Sequence, residues 1–280
     1  VVLGLNFAGR HLLYAVSATG KVEVLHHIGR IALAVDAVQA LRHPDSDSMR
    51  VIIAAVEKLI AQFGATRIRI ILPAELECWA TVPKLVYDHP EERDAYLAVL
   101  HHGSDRSDLV PIWHDLSNRD YKLFCIRNKP TLAGYKKIGE LAPEYDVCSE
   151  FEAGQQWISR QASQGGLLMI GCYDHYLAVT SYALGKLRAA TWITFEDPAD
   201  LHYLWPNTAI SAKWMSGIYD RVTLYGPLAW QYADILKPFW DAQAEVTRLD
   251  TLHGIGVAAP EETYGFGLEE AFPAIMMAID

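Results

Sequence analysis

The 280-residue sequence has no apolar run near the roughly 20 residues that a membrane-spanning helix needs, and no signal peptide is visible in it. It has no basic cluster either. Lys and Arg number 24 against 34 Asp and Glu, the net charge is −10, and Lys136-Lys137 is the only Lys/Arg doublet. A nucleic-acid surface is thereby excluded, because neutralising phosphates needs grouped cations. The four cysteines (Cys78, Cys125, Cys148, Cys172) form no CxxC pair, which removes the common zinc and redox motifs. Cys125 and Cys172 lie in apolar runs, where a reduced thiol packs as a small hydrophobe, and a reducing cytoplasm is the simpler setting. The histidines show no HExxH spacing, and the serines no G-x-S-x-G elbow. His26-His27 and His101-His102 are adjacent pairs, whose members face opposite sides of a strand and do not share an ion. His114-Asp115 and Asp174-His175 read as ordinary hydrogen-bonding pairs. Glu91-Glu92, Glu261-Glu262 and Glu269-Glu270 read as acids in first helical turns or on solvated faces.

What is present is the composition of a soluble globular protein, half hydrophobic and one-fifth charged. The length suits one large domain or two ordinary ones. Val1 rather than Met opens the chain, and a longer parent protein is one expectation. Val1–Phe7 and Leu12–Ser17 read as strands around Ala8-Gly9-Arg10, and Thr19-Gly20-Lys21 turns into a third strand, Val22–Ile28. Pro44-Asp45-Ser46 starts a helix with Val51, Ile52, Ala55, Leu59 and Ile60 as its apolar face. Strands follow over Arg67–Leu72, Glu77–Val82 and Tyr121–Arg127. Helices follow from His89, over Thr131–Leu141 and over Glu150–Gln161.

After Gln164-Gly165-Gly166 the opening pattern returns. His11–Val22 can be laid beside His175–Leu187, each preceded by an apolar strand and a glycine turn and each passing through Gly-Lys into another strand. The order then continues as a helix over Pro198–Met215, a strand over Val222–Tyr225, a helix over Leu228–Trp240, a strand over Glu245–Leu249 and a closing helix over Leu268–Ile279. This is a duplicated unit in an α/β fold, with halves 1–164 and 165–280, and a closing segment, 261–280, that can pack back on the first half.

An opening meander in each half resembles the duplicated ribonuclease-H-like domains of the superfamily of actin, the heat-shock ATPases and sugar kinases. Within it the order of elements is similar to the pilus and secretion branch, represented by the type IV pilus assembly protein PilM and the cytoplasmic part of the type II secretion L protein. An uncharacterised bacterial family with an actin-like fold is similar too. The resemblance implies mixed sheets opened by antiparallel meanders, with helices packed on them, and three nucleotide loops.

The first such loop usually reads D-x-G-[ST]; here Gly4–His11 places Asn6 where Asp is expected, with Gly9 behind it. Asn brings no charge to a hard cation that prefers carboxylate. The second usually reads V-D-[IL]-G, and Leu168-Met169-Ile170-Gly171 puts a thioether, a poor magnesium ligand, in the acidic position. Asp174 is the nearest carboxylate. The third is a glycine-ended strand; Gly226 is present, but Pro227 removes an N–H donor. Asn6, Gly9, Gly171, Asp174 and Gly226 are therefore the candidate cofactor-binding residues of degenerate loops, with no catalytic or metal-ligating residue assigned.

The resemblance implies a catalytically silent scaffold, cytoplasmic or peripheral at an inner membrane, needing no cofactor and binding the cytoplasmic tail of an inner-membrane protein. The alternative is a divergent ATPase or small-molecule kinase, for which ATP and Mg²⁺ would be required and Asp174 would replace the lost acid. Two aromatic-rich stretches, Pro111–Tyr121 and the one holding Trp205-Pro206 and Lys213-Trp214, read as core or rim aromatics, or as partner surface.

Overall fold

The computed structural model describes residues 1–18, 24–100, 106–161, 165–240, 242–249, 257 and 266–279. Strands β1 (Val2–Ala8), β2 (His11–Ala18) and β3 (Val24–Ala32) form an antiparallel meander. Helices α1 (Ala37–Arg42) and α2 (Asp47–Phe63) then bring the chain back to β4 (Arg67–Leu72), parallel to β1. An inserted unit follows, made of β5 (Glu77–Pro83), α3 (Lys84–Asp88), α4 (Pro90–Leu100), β6 (Leu109–Asp115) and β7 (Tyr121–Asn128). Its strands form a separate antiparallel sheet, ordered β5-β7-β6. Helix α5 (Lys129–Gly139) and β8 (Glu144–Ser149) complete the first sheet, β3-β2-β1-β4-β8.

Helix α6 (Glu150–Ser159) leads into β9 (Leu167–Cys172), β10 (Tyr176–Ala183) and β11 (Lys186–Thr194). Helix α7 (Leu201–Ser211), β12 (Arg221–Tyr225), α8 (Ala229–Leu236) and β13 (Glu245–Arg248) follow, and the second sheet is β11-β10-β9-β12-β13. Helix α9 (Leu268–Ala278) closes the described chain. The sheets share strand order and direction, so the repeated meander is an α/β duplication.

Register makes the duplication specific to single residues. Ala8 opposes His11 across one hairpin, and Tyr173 bonds to Tyr176 across the other, so both turns hold two residues. His11 therefore corresponds to Tyr176, one position beyond the His175 that the sequence laid beside it. Asn6 corresponds to Gly171, and Met169 to Gly4. The second meander strand of each half also carries a register shift at the same depth, at Val16/Ser17 and at Ser181/Tyr182. It leaves His26 and Arg188 as the extra, exposed residues of equivalent bulges. Arg67 faces Glu144 where Arg221 faces Glu245.

Helix α2 is set by its ends. The Ser46 side chain accepts from Met49 N–H at its start, and Gly64, at φ 63°, ends it in the left-handed region where glycine carries no Cβ penalty. Its buried line is Met49, Ile52, Val56 and Leu59. Ile52 and Leu59 were expected there, whereas Val51 points outward, one residue off the stripe. The turn expected at Thr19-Gly20-Lys21, the pair His101-His102 and Glu261-Glu262 lie outside the described residues.

The two halves exchange their last helices. α6 follows β8 but packs on β10 and β11; α9 follows β13 but packs on β1, β2 and β4. Every residue from Ala271 to Ile279 is buried, as a helical run apolar on all sides requires. Gly4 permits the approach, because a Cβ there would lie 2.0 Å from the Ala274 carbonyl oxygen and 2.7 Å from Ala278 N. Pro273 lacks the N–H that would bond to the Glu269 carbonyl four residues back. That carbonyl instead accepts from Gly226 N–H at 2.8 Å. At the other end Ser17 Oγ donates to the Ala278 carbonyl, and Arg69 to those of Met277 and Ile279. Among the described residues, no helix is long and apolar enough to cross a membrane.

Gly4→Ala must push α9 off the first sheet. We expect a loss of about 3 kcal/mol or more in urea unfolding, at the upper end of overpacking effects. Gly185→Ala, at φ 71° with open space around it, should cost only the left-handed strain of about 1 kcal/mol.

Candidate functional site

A cleft of about 440 Å³ opens where the two hairpin turns face each other. Gly9 and Arg10 line it from the first half, Asp174 and His175 from the second, with Pro227 and Leu228 on the far wall. The five sequence candidates divide between its surface and its floor. Gly9 and Asp174 meet: a Cβ on Gly9 would stand 2.9 Å from Asp174 Oδ2. Asn6 is 2% exposed and does not line the cleft, and its amide nitrogen has no hydrogen-bond partner among the described residues. Gly171 is a buried strand residue that leaves space for Glu150, whose Oε1 a Cβ there would approach to 2.6 Å. Gly226, at φ 96°, closes against the Cys172 carbonyl, 2.6 Å from where its Cβ would be. Its N–H is already taken by Glu269. Met169 is fully buried under α6 and faces Gly154, well away from the turns.

No protein-family model matches the chain, and no curated protein matches it significantly. Solved structures do. A chain of the PilM–PilN type IV pilus biogenesis complex aligns over 99% of this chain and 96% of its own, with TM-score 0.72 and 10% identity. The cytoplasmic domain of EpsL, an inner-membrane component of the Vibrio cholerae type II secretion system, aligns over 91% and 92%, with TM-score 0.52 and 12% identity. A Bacteroides thetaiotaomicron protein with an actin-like ATPase fold and unknown function aligns over 88% and 90%, with TM-score 0.52 and 12% identity. The fold is actin-like.

In this actin-like chain the cleft is acidic. Asp36, Glu75, Asp174 and Glu270 line it against Arg10 and Arg30. Most of these charges are already engaged. Arg30 pairs with Glu270 at 3.0 Å, Arg42 with Glu75 at 3.4 Å, and Arg10 donates to the Ala34 carbonyl. Asp36 caps α1 by accepting from Gln39 N–H at 2.8 Å. Among the described residues, no three His, Cys, Asp or Glu groups are placed to hold a metal ion.

Beneath the actin-like cleft lies a carboxylate that the sequence reading took only as a helix start. Glu150, the first residue of α6, is fully buried. It accepts from Tyr225 Oη at 3.1 Å, Tyr176 Oη at 3.2 Å and Ala74 N–H at 3.3 Å. These partners come from the ends of both five-stranded sheets, so this one side chain joins the halves at the cleft floor. Tyr173 stacks on Tyr176 at 4.5 Å. Burial pushes the Glu150 carboxyl up to about 7, against the opposing pull of these hydrogen bonds. The available signal was the clustering of tyrosines at strand ends around Gly171.

A second buried network fastens the inserted sheet. Arg127 Nε bonds to Glu77 Oε1 at 2.5 Å, and Ser149 Oγ donates to the same oxygen at 2.8 Å. Arg127 also reaches the Val147 carbonyl, while Trp192 Nε1 donates to the Glu77 carbonyl from the second half. The Pro111–Tyr121 stretch contributes β6, and Trp113 stacks on Phe124 at 3.9 Å within that sheet's core. His114 packs edge-on to Phe151, and burial lowers its pKa. Asp115 pairs with Lys122 at 2.6 Å. His27 stacks on Tyr14.

Glu150 fixes a pH dependence. Below its ordinary value near 4.5 it is protonated whether folded or unfolded. Between that value and about 7 the unfolded chain is ionised while the folded core keeps its proton, so stability falls across this window and levels off above it. Between about pH 5 and pH 8 the protein should lose on the order of 2–3 kcal/mol relative to a Glu150→Gln variant. Urea unfolding at both pH values measures it; parallel profiles for the two proteins would remove Glu150 as the cause.

Proposed function

We propose that the chain is a catalytically silent actin-like platform that binds a protein partner in a pilus- or secretion-type assembly at an inner membrane. The observation that carries this reading is the Asp174 carboxylate lying over Gly9 in the gap between the two hairpin turns. A phosphate placed there meets a negative side chain instead of free backbone donors. The third loop is no more receptive, since Gly226 N–H is engaged and Pro227 has none to give. Asn6 supplies no negative charge to a magnesium ion. The residues present do not fit a magnesium nucleotide.

The aligned proteins support the kind of partner proposed. One is a chain from a PilM–PilN complex, and another is the cytoplasmic domain of an inner-membrane secretion component. A short cytoplasmic tail of an inner-membrane protein is the matching partner here, taken up by strand addition or in a groove between the halves. The location is then cytoplasmic, peripheral to that membrane.

A divergent ATPase or small-molecule kinase is the second reading. It is favoured by Asp174 sharing the cleft with Asp36, Glu75 and Glu270, above a Glu150 whose proton is held near neutrality. Calorimetric titration with MgATP separates the two. The platform predicts a Kd above about 1 mM, a binding free energy weaker than about 4 kcal/mol, and no phosphate release. Micromolar binding, or phosphate release that Asp174→Asn abolishes, would establish the enzyme instead.

A further inference from the structure

The outer side of α7 is used by neither network. Leu201 and Trp205 are buried in the core of the second half. On the opposite side Tyr203 is 71% exposed and Ile210 73% exposed. Seven residues make about two helical turns, ~10.5 Å of axis, so both lie on one outward line, with Pro206 and Asn207 exposed between them. The helix contains no Asp, Glu, Lys or Arg, in a chain whose net charge is −10. Its outward polar residues, His202, Asn207 and Ser211, include no Asp, Glu, Lys or Arg, and among the described residues nothing covers Tyr203 or Ile210.

Charges at the two ends indicate what covers the other. Asp197 and Asp200 stand at the start of α7, where they cap each other's turn. Lys213, exposed, stands just past its end. An anionic bilayer repels the acidic end, and helices that lie on membranes carry a Lys/Arg-rich face that α7 lacks. A second copy matches both ends at once.

We propose that α7 packs antiparallel on α7 of a second copy, about a two-fold axis passing between Pro206 and Asn207. That axis sets Tyr203 against Ile210 of the other copy and Asp200 against its Lys213, each contact occurring twice, as an isologous interface requires. The opposed helix dipoles align favourably. In a strongly acidic chain, a charge-free ridge is where two copies approach with least repulsion. A ridge ~16 Å long buries far less than the ~800 Å² per partner of a standard interface. The dimer is therefore weak and forms where chains are crowded together.

Sedimentation velocity on the full chain tests this. The weight-average mass should rise from 31.3 kDa toward twice that value as concentration approaches about 1 mM. Ile210→Asp and Tyr203→Asp should each raise the dissociation constant at least about tenfold, with unchanged circular dichroism. Asp200→Lys and Lys213→Asp should each weaken the dimer, and the double charge swap should restore it, because only antiparallel packing pairs these positions. A chain monomeric throughout would overturn the proposal. So would a dimer indifferent to Ile210→Asp and Tyr203→Asp, a charge swap without rescue, or a monomer that sediments with phosphatidylcholine–phosphatidylserine vesicles through Ile210.

Discussion

The contact between Gly4 and α9 is the constraint on which the rest of the molecule rests. A helix apolar from Ala271 onward has to be enclosed, and the absence of a side chain at Gly4 lets it lie directly on the backbone of β1. Its position is then fixed at both ends by carbonyl oxygens. The one that Pro273 releases is taken up by Gly226 of the second half, and the last ones by Ser17 and Arg69 of the first. Two sheets with no strand in common are thereby held in one relation, and the two hairpin turns face each other across a fixed gap.

The chemistry of that gap follows from what fills it. Where two turns could cradle an anion between backbone donors, this chain offers a carboxylate over a glycine, with a tyrosine-ringed carboxyl group below. Glu150 bonds to β4's exit, β10 and β12 at once, and its position at the first turn of α6 ties that helix to the cleft floor. The Glu77–Arg127 pair does the corresponding task for the inserted sheet, with both charges buried and each surrounded by further hydrogen bonds. Removing either partner would leave the other charge buried and unpaired, which is why such pairs hold orientation more than they add net stability.

The sequence carried the meanders, the closing helix and the duplication because each rests on local pattern: apolar runs, glycine turns and a helix apolar after its acidic first turn. It did not carry the register. His11 and His175 look equivalent as letters, but the hairpins match His11 with Tyr176, because two-residue turns fix strand pairing irrespective of side-chain identity. The same offset moves Met169 away from the position of Asn6. The inserted sheet was half legible: Glu77–Val82 and Tyr121–Arg127 alternate or run apolar, whereas Leu109–Asp115 contains Pro111, His114 and Asp115 and showed its aromatics, core or rim, without showing a strand. Glu150 was hidden for a different reason. A glutamate at a helix start has a solvated explanation in sequence, and only the convergence of three strand ends shows it to be enclosed.

The exchange of closing helices bears on how the chain is made. Ser17 and Ala278 touch across 261 positions, so the first sheet emerges with one face lacking its permanent cover until α9 is synthesised. Long-range closure of this kind raises contact order and slows folding. During that interval the apolar surface of β1 and β2 is open to misassembly, including capture of α9 from a neighbouring nascent chain. Of the two halves, the one synthesised first is thus the one completed second.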